Sequence, residues 1–163
     1  MDTYRAIVTK RDTRHFADRP IPPEVQHRIL QAGRMAGSSK NTQPIRFVVL
    51  EDQERKEAVA ACGHYAKHVP ACALAIAVVV EPGGSAFDAG RAAQNMMVAA
   101  WADGVTSCPT SMHETECIQE TLGLPEGYSV AIVLAMGYPE EGRKLGAGRE
   151  RLPLDELVHR ERW

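Results

Sequence analysis

Three polar segments carry the side chains best suited to chemistry. Lys10-Arg11-Asp12-Thr13-Arg14 places three cations within five residues. Guanidinium groups grip phosphate oxygens two at a time, so this cluster suits a phosphate, though a solvated charged linker has the same composition. Ser38-Ser39-Lys40-Asn41-Thr42-Gln43-Pro44 alternates hydroxyls and amides. Such groups both donate to and accept from the edge of a heterocycle, or they simply join a helix to a strand. Arg149-Glu150-Arg151 adds cations to the same phosphate or stays surface charge.

Other machinery is missing from the sequence. It has no G-x-S-x-G, G-x-x-x-x-G-K-[ST], H-E-x-x-H or G-x-G-x-x-G, which removes the usual signatures of serine hydrolases, P-loop enzymes, zincins and dinucleotide folds. His64 and His68 stand four apart and would share a face if helical, but no third ligand accompanies them; a solvated face or a stacked ring is expected rather than a metal site. Cys62, Cys72, Cys108 and Cys117 show no C-x-x-C spacing and are expected to be reduced, partly buried thiols.

The 163 residues suit one domain, 1–163. Hydrophobic residues are 44%, charged residues 25%, and the net charge is -2. That balance argues against a nucleic-acid-binding surface. No apolar run approaches the roughly 20 residues of a membrane span. The opening stretch Met1–Arg14 is polar and lacks the apolar core of a secretory signal, so a cytoplasmic protein is expected.

These segments need a scaffold. An amphipathic helix is predicted over 2–9, with Tyr4, Ile7 and Val8 as its apolar face. A second runs from Pro22-Pro23-Glu24 to about Gly37 on the spacing of Val25, Ile29, Ala32 and Ala36. Strands are predicted at Arg46–Leu50, Ala73–Val80, Val105–Cys108 and Ser129–Met136. Helices fill 52–62, Ala86–Asp103 and 114–122, with a short one at the C-terminus. Pro109-Thr110-Ser111-Met112 is read as a loop. Ser85 with Asp88 resembles a capping box. The pattern predicts an α+β domain with helices layered on one sheet.

In their order, the segments resemble the nitroreductase-like family. Lys10-Arg11-Asp12-Thr13-Arg14-His15-Phe16 is similar to R-R-[SD]-x-R-x-F. Ala36-Gly37-Ser38-Ser39-Lys40-Asn41-Thr42-Gln43-Pro44 is similar to A-P-S-x-x-N-x-Q-P. Asp88-Ala89-Gly90 with Gln94-Asn95, Gly104-Val105-Thr106-Ser107-Cys108, Leu122 to Tyr128 and Met136-Gly137-Tyr138-Pro139 follow in the family's sequence.

The resemblance implies a mostly antiparallel central sheet surrounded by helices, in a homodimer with FMN at its interface. It further implies NADH or NADPH as electron donor and a nitroaromatic, quinone or similar small molecule as acceptor. By position, Lys10, Arg11, Asp12 and Arg14 resemble the N-terminal FMN ligands. Ser38, Ser39, Asn41 and Gln43 resemble a second group, often given by the other subunit. Pro109, Thr110 and Ser111 resemble the loop beside the flavin ring, and Arg149 and Arg151 the C-terminal phosphate clamp. No side chain need act as acid, base or nucleophile.

Asp12 departs from the common Ser and is expected to turn to Arg11 or a backbone N–H. Ile45 replaces a common Trp, Met112 a Gly, and the chain is short for the family. Two alternatives follow from these departures: a related enzyme that fragments reduced flavin, and a non-catalytic flavin-binding dimer.

Overall fold

The computed structural model describes residues 1–146 and 150–163. Four strands form one antiparallel sheet: β1 (Ile45–Leu50), β2 (Leu74–Val80), β3 (Thr106–Thr110) and β4 (Ser129–Gly137), in the order β1-β2-β4-β3. β1 and β3 are therefore opposite edges.

Strand alternation builds a core on each face. From β2, Leu74, Ile76, Val78 and Val80 meet Ile29, Met96 and Ala100 in one apolar cluster; Ala75, Ala77 and Val79 meet Val59, Val69 and Ile118 in the other. Every residue of β2 is buried, as an apolar run in a central strand requires. Full burial of each large aliphatic side chain contributes about 1.5–3 kcal/mol.

The first face is covered by α2 (Pro23–Arg34) and α4 (Ala86–Ala102), the second by α3 (Gln53–Ala61) and α5 (Thr115–Leu122). α2 opens with Pro23 in its first turn and Glu24 near the positive end of its dipole. Ser85 caps α4 by accepting the Phe87 N–H, while Asp88 turns to Arg91, so only half of the predicted capping box forms. A last turn, α6, spans Leu154–Leu157. No helix among the described residues is long and apolar enough to cross a membrane.

Two expectations are corrected. α1 (Thr3–Thr9) buries Ala6, not its apolar face; Tyr4, Ile7 and Val8 stay exposed. The helix docks instead through its polar side, where Trp101 Nε1 donates to Thr9 Oγ1 at 3.0 Å. β3 does not stop at Cys108 but runs through Pro109 and Thr110, which pair with Leu134 and Val133. An edge strand tolerates proline because its outward N–H has no partner to lose. Residues 63–72 form successive turns rather than a helix, so His64 and His68 do not share a helical face.

Candidate functional site

The segment after α1 lies along the free edge of β3. Asp12 bridges Ser107, and the Thr13 N–H donates to the Ser107 carbonyl at 3.1 Å. Farther on, Phe16 bridges Pro139 and the Ala17 N–H donates to the Tyr138 carbonyl at 2.9 Å. This stitching brings Asp12 and Arg14 beside Cys108 and Pro109. Together with Arg143 and Lys144 they line a cleft of about 690 Å³, within the usual size of a cofactor site. Arg143 and Lys144 are functional candidates that the sequence motifs do not mark; two adjacent cations directly after Gly142 are their only signal.

The charges in the cleft are unequally engaged. Asp12 turns to neither Arg11 nor a backbone N–H; it pairs with the Lys10 ammonium. Residues two apart in an extended segment point the same way, which puts Lys10 nearest. Arg11 folds back, its Nη1 donating to the carbonyls of Val8 at 3.1 Å and Lys10 at 2.9 Å, at the C-terminal end of α1. Gly146, at φ +67°, lies so close to the Arg11 stem that a Cβ there would overlap it. Arg14 makes no ion pair among the described residues.

Two titratable groups sense Arg14. Burial pushes the Cys108 thiol up, and the Arg14 guanidinium opposes that rise. Burial, then Arg14, holds the His68 imidazole below its ordinary value. His68 is 7% exposed, and neither ring nitrogen has a partner; the Tyr65 backbone offsets part of the cost at a geometry too poor for a hydrogen bond. Ser107 Oγ is also buried and unpartnered. Both orphan groups adjoin the Asp12–Arg14 segment. Buried polar atoms without partners are rare enough to mark a functional region.

The second segment lies elsewhere. Ser38, Ser39, Asn41 and Gln43 lead into β1, at the other edge of the sheet. Ser39–Asn41 form one 3₁₀ turn, and Ser38 Oγ accepts the Gln43 N–H at 2.8 Å. Lys40, Asn41 and Gln43 hold φ of 52°, 56° and 51°. Left-handed backbone at non-glycine residues costs about 1–3 kcal/mol each and gathers at functional loops. Ser39, Asn41 and Gln43 are exposed. One chain therefore brings Asp12 and Arg14 together with Pro109, and does not bring them together with Ser38–Gln43.

Thr110 is buried at the end of β3 and Ser111 is exposed just beyond it. Arg151 is exposed and outside the cleft lining. Arg149 lies outside the described residues. The thiol expectation is corrected here: Cys62 and Cys117 form a disulfide joining the end of α3 to α5, while Cys72 and Cys108 are free and buried. α3 and α5 pack side by side and bring the two Cα atoms to 5.6 Å, within disulfide reach. A separation of 55 residues gave no hint of it.

The chain matches the Nitroreductase family over residues 7–78 and 65–138. It belongs to that family. A protein of Archaeoglobus fulgidus bearing the name of an NADH dehydrogenase/NAD(P)H nitroreductase is 29% identical, covering 99% of both chains. The NADPH-flavin oxidoreductase of Vibrio harveyi is 26% identical over 99% of this chain and 75% of its own. The solved structure of an FMN-dependent nitroreductase from Clostridium difficile shares the fold, with TM-score 0.88 at 23% identity, covering 98% of this chain and 99% of that one. This nitroreductase-family chain is thus short against the Vibrio protein and of ordinary length against the other two.

Proposed function

We propose that this nitroreductase-family protein is an FMN-dependent oxidoreductase. It passes hydride from NADH or NADPH to a nitroaromatic, quinone or similar small acceptor in a ping-pong cycle, at a site shared by two copies of the chain. The observation that carries this reading is the division of the polar residues between opposite sheet edges. Asp12, Arg14 and Pro109 border one cleft, and Ser38–Gln43 stand across the sheet. A second copy supplying its own 38–43 loop completes the set. The exposed apolar side chains Tyr4, Ile7, Met35 and Phe87 support such an interface.

The donor set fits FMN. Arg14, Arg143 and Lys144 give the cleft a cationic lining, and its one carboxylate, Asp12, is already neutralised by Lys10. These cations would hold the phosphate and the polar edge of the ring, with Arg149 and Arg151 as further phosphate ligands. Lys10 and Arg11 join them by giving up their present partners. Ser38, Ser39, Asn41 and Gln43 of the second copy would donate and accept hydrogen bonds, and Pro109, Thr110 and Ser111 would border the ring. When bound, FMN supplies the two-electron chemistry, and the protein supplies position and charge. We place the activity in the cytoplasm, alongside its nicotinamide donors.

The test is the visible spectrum of the purified protein with NADH and NADPH added separately under nitrogen. Bleaching of flavin bands is expected, and the faster donor names the physiological one. Flavin bands that neither nicotinamide bleaches would sink the reading.

A further inference from the structure

Lys56, in α3, is only 6% exposed. Lysine is rarely buried without an acidic partner, because taking its charge out of water is costly. Yet Lys56 makes no ion pair among the described residues. Its Nζ donates to the Cys72 carbonyl at 2.7 Å. Among the described residues that bond uses one of the three ammonium donors, and it cancels no charge. Burial pushes the Cys72 thiol up, so it stays protonated and is no counter-ion either. The acids beside Lys56 on the chain are engaged elsewhere. Asp52 accepts the Arg55 N–H at 2.9 Å, and Glu57 accepts from Gln53 Nε2 at 2.9 Å.

The unpaired ammonium lines a pocket of about 500 Å³, the size of a small-molecule site. Residues 16–20 give one wall, 70–73 another, and α3 adds Gln53 and Lys56. None of these residues lines the cleft that holds Arg14. Arg19 is a second cation of the lining, its guanidinium 3.8 Å over the Tyr138 ring, and it has no acidic partner among the described residues. Asp18 is the one carboxylate of the lining. Two cations against one carboxylate leave a single positive charge uncompensated. Phe16, Pro20 and Pro70 make the rest of the lining largely apolar.

We propose that this pocket is a second ligand site, one that takes a small aliphatic carboxylate. The carboxylate accepts from the two remaining Lys56 N–H groups and supplies the missing counter-charge. A short alkyl chain covers the apolar lining beside Phe16 and Pro70. The single excess charge selects a monoanion, and Asp18 disfavours phosphate and other dianions. The site stands apart from the flavin reading, since the two share no lining residue.

The test is titration of butyrate into the protein as purified, with FMN added, followed residue by residue in nitrogen–proton correlation spectra. Amides among residues 16–20, 53–56 and 70–73 should shift together and saturate. Butyramide has the same shape without the charge, and should bind at least about tenfold more weakly. Lys56→Met should weaken butyrate about 10- to 100-fold, the loss of a charge-assisted hydrogen bond. Met fills the space of the buried stem and leaves no charge to compensate, so this variant should melt no lower than wild type. Lys67→Met, which removes an exposed lysine outside the pocket, should bind butyrate as wild type does. Shifts confined to the Arg14 cleft, equal binding of butyramide, or butyrate affinity unchanged in Lys56→Met would each overturn the proposal. Should Lys56→Met fail to fold, butyrate against butyramide on the wild type still decides.

Discussion

The Lys10 ammonium is closed off by Asp12 on one side and by Met97 on the other, whose Sδ is 3.5 Å from it. A cation that could serve the phosphate is thus spent on a neighbour two residues away. Replacing Asp12 by Asn should release it. FMN should bind about three- to fivefold tighter, while riboflavin, which has no phosphate, should bind as before. Fluorescence titration of both ligands checks this, and an equal change for the two would place the effect away from the phosphate.

Arg14, like Lys144, is a cation of the cleft without an acidic partner among the described residues, and Cys108 senses Arg14. Arg14→Ala should lower FMN affinity about 10- to 100-fold, the loss of a charge-assisted hydrogen bond. It should also raise the Cys108 thiol further, because the guanidinium is what opposes the effect of burial there. Iodoacetamide labelling of Cys108 should then need a higher pH in the variant than in wild type.

His68 should make stability sensitive to acid. Its folded value lies below the ordinary 6.5. The unfolded chain therefore takes up the proton first, and stability is full above about pH 6.5 and falls as pH drops towards the folded value. His68→Leu removes this proton uptake and the two unpartnered nitrogens. Urea denaturation between pH 7.5 and 5 should show a shallower slope for the variant.

The bond between Cys62 and Cys117 should contribute about 2–4 kcal/mol to stability. Cys117→Ser should lose that amount without reductant, and wild type in dithiothreitol should converge on the variant. Coincident curves before reduction would mean that the thiols are not joined in solution.

Most of the scaffold was legible in the sequence. The all-apolar run of β2 and the 3.6-residue period of α2 each demand one structure, and each forms it. What escaped was set by partners distant in the chain. Pro109 reads as a loop until β4 is seen to pair with it. Tyr4, Ile7 and Val8 read as a core face, yet α1 docks through Thr9. Arg11 and Asp12 were legible as a charged cluster, but not the choice of the Val8 carbonyl by one and Lys10 by the other. Cys62 and Cys117 meet only because α3 and α5 are neighbours.

In the proposed dimer, each chain gives its β3-edge cleft to one pocket and its 38–43 loop, at the β1 edge, to the other, so a lesion in either falls on one pocket alone. Arg14→Ala and Asn41→Ala proteins should each be nearly inactive alone. Unfolded together and allowed to reassociate, they should regain activity. Every mixed dimer gathers both lesions into one pocket and leaves the other intact. Random pairing makes mixed dimers half of the total, so about a quarter of all pockets should recover, a complementation that a site built within one chain could never display.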